Sequence, residues 1–184
     1  EKYLKSGIGR EWFKREVVDK PENFEPASVL LERIRAEKER LIKEGKIKKS
    51  KASKTSDTPH YENVPFEVPD SWSIIPLEYL ATFSGGKTPS MDNKEYWNNG
   101  KHLWVTSKDM KSVHITDSLM KISDSALEQM NIYPKGTLLL VTRSGILRHT
   151  LPIAILGNEA TVNQDIKTIS CHLPNINRYL YYAI

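Results

Sequence analysis

The stretch ATFSGGKTPS, residues 81–90, carries the pattern most suggestive of nucleotide chemistry. Ala81, four residues, then Gly86-Lys87-Thr88 fit the relaxed form of a phosphate-binding loop. Such a loop needs a buried strand to deliver its glycines and a long helix starting at the Lys-Thr, whose amides cradle the phosphates. It also needs an aspartate at the end of a second apolar strand, to hold magnesium. The segment ahead of Gly85 reads more as helix than as strand. After Thr88 come Pro89, Ser90, Met91, Asp92 and Asn93, a turn-rich run without apolar period. Pro89 also biases Thr88 away from helical backbone. The best buried strand, TLLLV, ends in Thr142-Arg143-Ser144 and not in an acid. The pattern therefore argues against nucleotide hydrolysis.

Other catalytic constellations are no better supported. The histidines at 60, 102, 114, 149 and 172 show no ligand-pair spacing. Ser144 sits in TRSGI, which is not a nucleophile elbow. What remains is a set of four polar loops at strand ends. The first holds Lys87, Thr88, Pro89 and Ser90, with Asn93 and Trp97 following. The second is Thr106-Ser107-Lys108-Asp109. The third is Arg143-Ser144-Gly145, with Arg148 and His149 close behind. The fourth is Asn163-Gln164-Asp165. Arg and Lys suit guanine edges or phosphates, and Asn and Gln suit adenine. The same residue types also make up any solvated loop.

The element that stands ahead of these loops is EPASVLLERIRAEKERLIKEGKIKK, which predicts a helix over 26–44. Pro26 suits a first helical position. Leu30, Leu31, Ile34, Leu41 and Ile42 form an apolar stripe at helical spacing. Glu39 and Lys43 stand at favourable i,i+4 spacing. Gly45 suits a left-handed position after the helix, with Ile47 able to fold back on Leu41. The stripe is narrow and the other faces are charged, which favours packing against another helix. SKASKTSDTPHYEN, residues 50–63, has linker composition. VPFEVPDSW then reads as an extended lead-in anchored by Val64, Phe66, Val68 and Trp72. IIPLEYLATF reads as a short helix from Pro76, KHLWV as a strand, and DSALEQMNI as a short helix capped by Asp124. TLLLV reads as a buried strand, and two or three strands follow through LPIAILGNEATVNQDIKTISCHL. Strands mixed with short helices indicate an α+β or α/β domain.

At 184 residues the chain is near the range of one or two domains. It does not begin with Met and ends on what reads as the start of a helix, which favours a fragment. No 18-residue apolar window implies a membrane span. The single Cys171 excludes an internal disulfide or cysteine metal cluster, and fits a reducing cytoplasm. Residues 1–63 hold 16 Lys/Arg against 12 Asp/Glu, and residues 64–184 hold 11 against 11. The basic excess is densest in KEGKIKKSKASK, residues 43–54, which suits phosphate backbones or a solvated linker alike.

These blocks resemble the specificity subunits of type I restriction-modification systems. EPASVLLERIRAEKERLIKEGKIKK resembles their central conserved helix. PFEVPDSWSIIPLEYLATFSGGKTPS…EYWNNGKHLWVTSKDM and PKGTLLLVTRSGILRHTLPIAIL…ATVNQDIK resemble one of their target-recognition domains. The likeness spans residues 26–184. It implies an α+β chain divided into an unassigned segment 1–25, a coiled-coil-like spacer helix 26–49, a linker 50–63 and a recognition domain 64–184. It implies a non-catalytic subunit that reads one half of a split double-stranded DNA target. Methyltransferase subunits would dock on Leu30, Leu31, Ile34, Leu41 and Ile42, and a restriction-translocase subunit would join through the complex. S-adenosylmethionine, ATP and magnesium would belong to those partners, with no cofactor in this chain. With that function, the four polar loops read above become the expected DNA contacts, through Lys87, Thr88, Ser90, Asn93, Thr106, Ser107, Lys108, Arg143, Ser144, Arg148, His149, Asn163 and Gln164. Trp97 and Trp104 would pack the loop bases. Against the family's full pattern the chain reads as one recognition domain, with the second half of that domain and the conserved helix after it missing. A protein-interaction module acting through the 26–44 helix is the rival reading. A methyltransferase fusion would need an Asn-Pro-Pro-Tyr/Phe run, which the sequence lacks.

Overall fold

The computed structural model describes residues 25–48 and 73–184. The linker, the Val64, Phe66, Val68 and Trp72 anchors, residues 1–24 and the second half of the lysine-rich stretch lie outside them. The described residues fall into two units, one holding residues 25–33 and 73–74, the other residues 34–48 and 75–184.

Helix α1 (Ala27–Lys43) forms where the apolar period predicts it. Pro26 stands just before the first turn and its carbonyl accepts from the Val29 and Leu30 amides. At the other end Gly45 adopts φ +70. Its N–H donates to Ile42 O and the Lys46 N–H donates to Leu41 O, the two bonds of a Schellman cap. Ile34 is buried within the chain, whereas Leu30, Leu31, Leu41 and Ile42 are half-buried.

The larger unit stacks two sheets. Five strands run in the order β1 (Ala81–Gly85), β8 (Ile166–Cys171), β5 (Leu138–Val141), β6 (Ile153–Leu156), β3 (His114–Ile115). Three more run β4 (Met120–Ile122), β2 (His102–Val105), β7 (Thr161–Val162). The β6–β3 and β2–β7 pairs are parallel and the rest antiparallel. Leu139 and Val141 of β5 join Val105, Val162, Ala154, Leu156 and Ile166 in one core. Leu138 and Ile155 face the other way, onto Ala81, Ile169 and Leu180 of helix α4 (Asn177–Ala183). Burial on both faces explains why TLLLV reads as an unbroken apolar run. Each fully buried leucine contributes about 1.5–3 kcal/mol through removal from water. No described helix is long and apolar enough to cross a membrane.

Two expectations are corrected. IIPLEYLATF is not one helix: only helix α2 (Leu77–Leu80) forms, and Ala81–Gly85 is strand. Its register is supplied by a distant partner, from Ala81 opposite Cys171 to Gly85 opposite Lys167. A strand does deliver the glycines, so that ground against a phosphate loop falls. The other grounds stand, because no helix follows Thr88 before the 3-10 turn Lys94–Tyr96. Helix α3 (Asp124–Leu127) is capped by Ser123, whose Oγ accepts from the Ala126 N–H at 3.4 Å. The Asp124 carboxylate instead lies 2.6 Å from His102 Nε2 and 3.3 Å from Lys101 Nζ. Those contacts, His102 first, hold its carboxyl below the ordinary value of 3.8.

Candidate nucleic-acid interface

The fourth polar loop is the junction of the other three. It follows β7, which runs parallel to β2 with Val162 opposite Val105. The Asn163 N–H donates to Val105 O at 3.0 Å, placing this turn beside residues 106–109. The Lys87 N–H donates to Val162 O at 3.0 Å. The Thr142 N–H and Arg143 N–H both donate to Asp165 O, at 2.8 and 3.3 Å, and the Thr142 hydroxyl joins them at 3.2 Å. Residues 87–90, 106–109, 142–149 and 163–165 therefore share one edge of the stacked sheets.

The GG pair of the first loop has a steric cause. A Cβ on Gly86 would lie 1.9 Å from Val162 O and 2.4 Å from Asn163 O, so only glycine lets β1 pass this close. Beyond it, the indole N–H of Trp104 donates to Lys87 O at 3.1 Å, and that of Trp97 donates to Ser90 O at 3.0 Å. The two rings meet edge to face with centroids 5.0 Å apart. Pro89 is buried, while Lys87, Thr88 and Ser90 are exposed. The Thr88 hydroxyl donates to Gln164 Oε1, joining the first loop to the fourth by side chains as well.

Several polar groups are already engaged inside their loops. Asn163 is buried, its Nδ2 donates to Asp165 Oδ2 at 3.1 Å, and its Oδ1 accepts from the Asp165 N–H at 3.3 Å. The Thr106 hydroxyl donates to Asp109 Oδ2 at 2.8 Å, and Asp109 also receives the Thr106 and Leu119 N–H groups. Ser144 Oγ accepts from the Ile146 N–H and Asn93 Oδ1 from the Glu95 N–H, each capping a 3-10 turn. Lys87, Lys108, Arg143, Arg148, His149 and Gln164 remain exposed, and Ser107 half-exposed. None of those four cations meets a carboxylate of the described residues. The edge thus presents cations and amide donors on a rigid frame, with no described cluster of His, Cys, Asp and Glu able to hold a metal.

Residues 69–184 match the family described as the type I restriction modification DNA specificity domain. The chain belongs to this family. It is 34% identical over 110 residues to the EcoR124I/EcoR124II specificity subunit of Escherichia coli, covering 59% of this chain and 27% of that protein. It is 32% identical over 121 residues to the MjaIX specificity subunit of Methanocaldococcus jannaschii, covering 63% and 27%. The chain therefore spans about a quarter of the length of these curated relatives. The HsdS subunit of Thermoanaerobacter tengcongensis aligns over 84% of this chain and 37% of its own, at 13% identity and a TM-score of 0.47.

Within this specificity domain, sequence reasoning missed the residues that act through the backbone. The carbonyls of Val162 and Asp165 hold three loops together, and a carbonyl leaves no trace in residue type. Tyr133 is buried and its hydroxyl donates to Gly85 O at 2.9 Å and lies 3.0 Å from Ser84 Oγ, fixing the end of β1. Nothing in its sequence neighbourhood signals that role. The domain meets the second half of α1 at a polar junction, where Lys38 Nζ donates to Glu78 O at 2.8 Å and sits 5.7 Å from the Tyr79 ring centroid. His172 is buried there with Nε2 unpartnered. Burial, then the nearby Lys38 charge, lowers its pKa below 6.5, while a bond to the Glu78 backbone and the Glu37 charge oppose the shift. Cys171 is half-buried, and burial raises its thiol to about 11, which removes it as a nucleophile.

Proposed function

We propose that this chain reads one half of a divided double-stranded DNA target for a type I restriction-modification assembly and leaves catalysis to its partners. The observation that carries the proposal is the convergence of the donor-bearing loops on the 163–165 turn. Membership of the specificity-domain family supports it. Arg143, Arg148, Lys87, Lys108 and Gln164, exposed on that edge, approach base edges and phosphates, together with Thr88, Ser90, Ser107 and His149. Asn163, Thr106, Ser144 and Asn93 act beneath them, since their side chains already hold the loops. Leu30, Leu31, Leu41 and Ile42 of α1 form a docking face for a methyltransferase subunit, and a restriction subunit joins through that complex. S-adenosylmethionine, ATP and magnesium act in those partners.

The test uses the full-length subunit assembled with its methyltransferase partners. Duplexes are selected from a randomised pool, and binding is then compared on a selected and a scrambled duplex. Arg143→Ala lowers affinity for the selected duplex by about 1–3 kcal/mol and leaves the scrambled one nearly unchanged. Equal loss on both makes Arg143 a phosphate contact. A wild-type assembly that enriches no sequence overturns the DNA-reading proposal itself.

A further inference from the structure

The loop between β5 and β6 holds more than its two arginines. Residues 142–151 are all exposed, and among them Ile146, Leu147 and Leu151 show 41%, 37% and 49% of their surface. Isolated exposed aliphatics are ordinary. Here two adjacent ones sit at a preformed tip. The Leu147 N–H donates to Ser144 O at 3.2 Å, and the His149 and Thr150 N–H groups donate to Ile146 O at 2.9 and 3.0 Å. The root of the loop is fixed twice, by Thr142 and Arg143 on Asp165 O and by the Val141 N–H on Pro152 O at 3.1 Å. The tip is therefore a rigid extension of the loop edge.

The charge around it selects one kind of surface. From Gln129 to Asn158 the chain holds no Asp or Glu, and its charged residues are Lys135, Arg143 and Arg148. Arg143 and Arg148 bracket Ile146 and Leu147 in sequence, and neither meets a carboxylate of the described residues. An aliphatic pair between unpaired guanidiniums matches a duplex, whose phosphates take the cations while a partly opened base step takes the apolar wedge. The loop itself carries no acid, and Asp165 at its root is engaged by Asn163 Nδ2.

We propose that Ile146 and Leu147 form a wedge that inserts at a base step of the bound duplex and unstacks it, with Arg143 and Arg148 anchoring the flanks. This rests on the DNA-reading proposal and adds deformation of the DNA to the contacts made by the polar loops. Specificity then arises partly from how easily the sequence at that step opens.

The experiment uses the full-length assembly and the selected duplex, carrying 2-aminopurine at each half-site position in turn. Wild-type binding raises the fluorescence at one step. Leu147→Ser and the double variant Ile146→Ser/Leu147→Ser abolish that rise and weaken binding about tenfold, in keeping with the loss of a buried aliphatic side chain. Both substituted positions are exposed, so the thermal midpoint stays at the wild-type value. Sequence-selective binding without fluorescence rise at any position overturns the wedge and leaves the DNA-reading proposal intact. Unchanged affinity in the serine variants overturns it too. Loss of methyltransferase co-purification with DNA binding retained shows the tip to be a protein contact and likewise overturns it. Absence of any sequence-selective binding by the wild type removes both proposals together.

Discussion

Helix α1 and the loop edge are built by opposite means. Within α1 and its cap the bonds join residues a few positions apart: Gly45 caps onto Ile42, and Arg40 pairs with Glu37 and Glu44. At the loop edge the ties span the chain: Lys87 to Val162, Thr142 to Asp165, Trp104 to Lys87. Local ties are cheap to form and weak when broken, since each fixes little chain. The distant ties form only once the two sheets have stacked, and one bad contact there disturbs several loops at once. Damage at the edge should therefore couple stability to selectivity, whereas damage to α1 should leave selectivity alone.

The sharpest way to break that contrast is Gly86→Ala. Its Cβ meets backbone carbonyls that cannot swing aside, so we expect a loss of about 3 kcal/mol in denaturant unfolding. The surviving folded fraction should also discriminate poorly between selected and scrambled duplexes. Normal stability and normal selectivity would mean that the Val162–Lys87 tie does not organise the edge.

A smaller effect is expected at the junction between the two regions, from the titration of His172. Its folded pKa is lowered, so the unfolded chain takes up a proton first as pH falls below 6.5. Stability is then highest above that value and declines until the folded pKa is reached. The thermal midpoint should drop between pH 7.5 and 5.5, and His172→Gln should flatten part of the drop. A variant with the wild-type slope would place the titration elsewhere.

Gly45→Ala should have the smallest effect. The residue holds φ +70 in open space, so alanine costs about 1 kcal/mol through backbone strain alone. Hydrogen exchange should quicken in the last turn of α1, while DNA selectivity stays unchanged. A change in selectivity would show that the helix end and the loop edge are not independent.

The same contrast governs what could be read in advance. The stripe from Leu30 to Ile42 and the Gly45 stop place α1 within a residue at each end, because helix bonds follow sequence spacing. TLLLV and IAIL were legible as strands for their β-compatible, fully apolar character. Ala81-Thr82-Phe83 was not, because its state depends on β8, where its partners are Cys171, Ser170 and Ile169. Ser123 took the cap from Asp124 because that carboxylate found His102 and Lys101 across β2, a contact with no local signature. The polar loops were recognisable from their donors, yet composition did not separate Arg143, which is exposed, from Asn163, which is buried and bonded to Asp165.

By itself the sequence determined the spacer helix with its stop, the apolar strands, the donor-rich loops and the family to which the chain belongs. These rest on residue type and short spacing. The tertiary structure alone decided that the four loops meet on one turn and that Gly86 must be glycine. It also decided that the two tryptophans carry the first loop by its carbonyls. Those facts depend on backbone atoms that every residue shares, brought together only when distant strands pair.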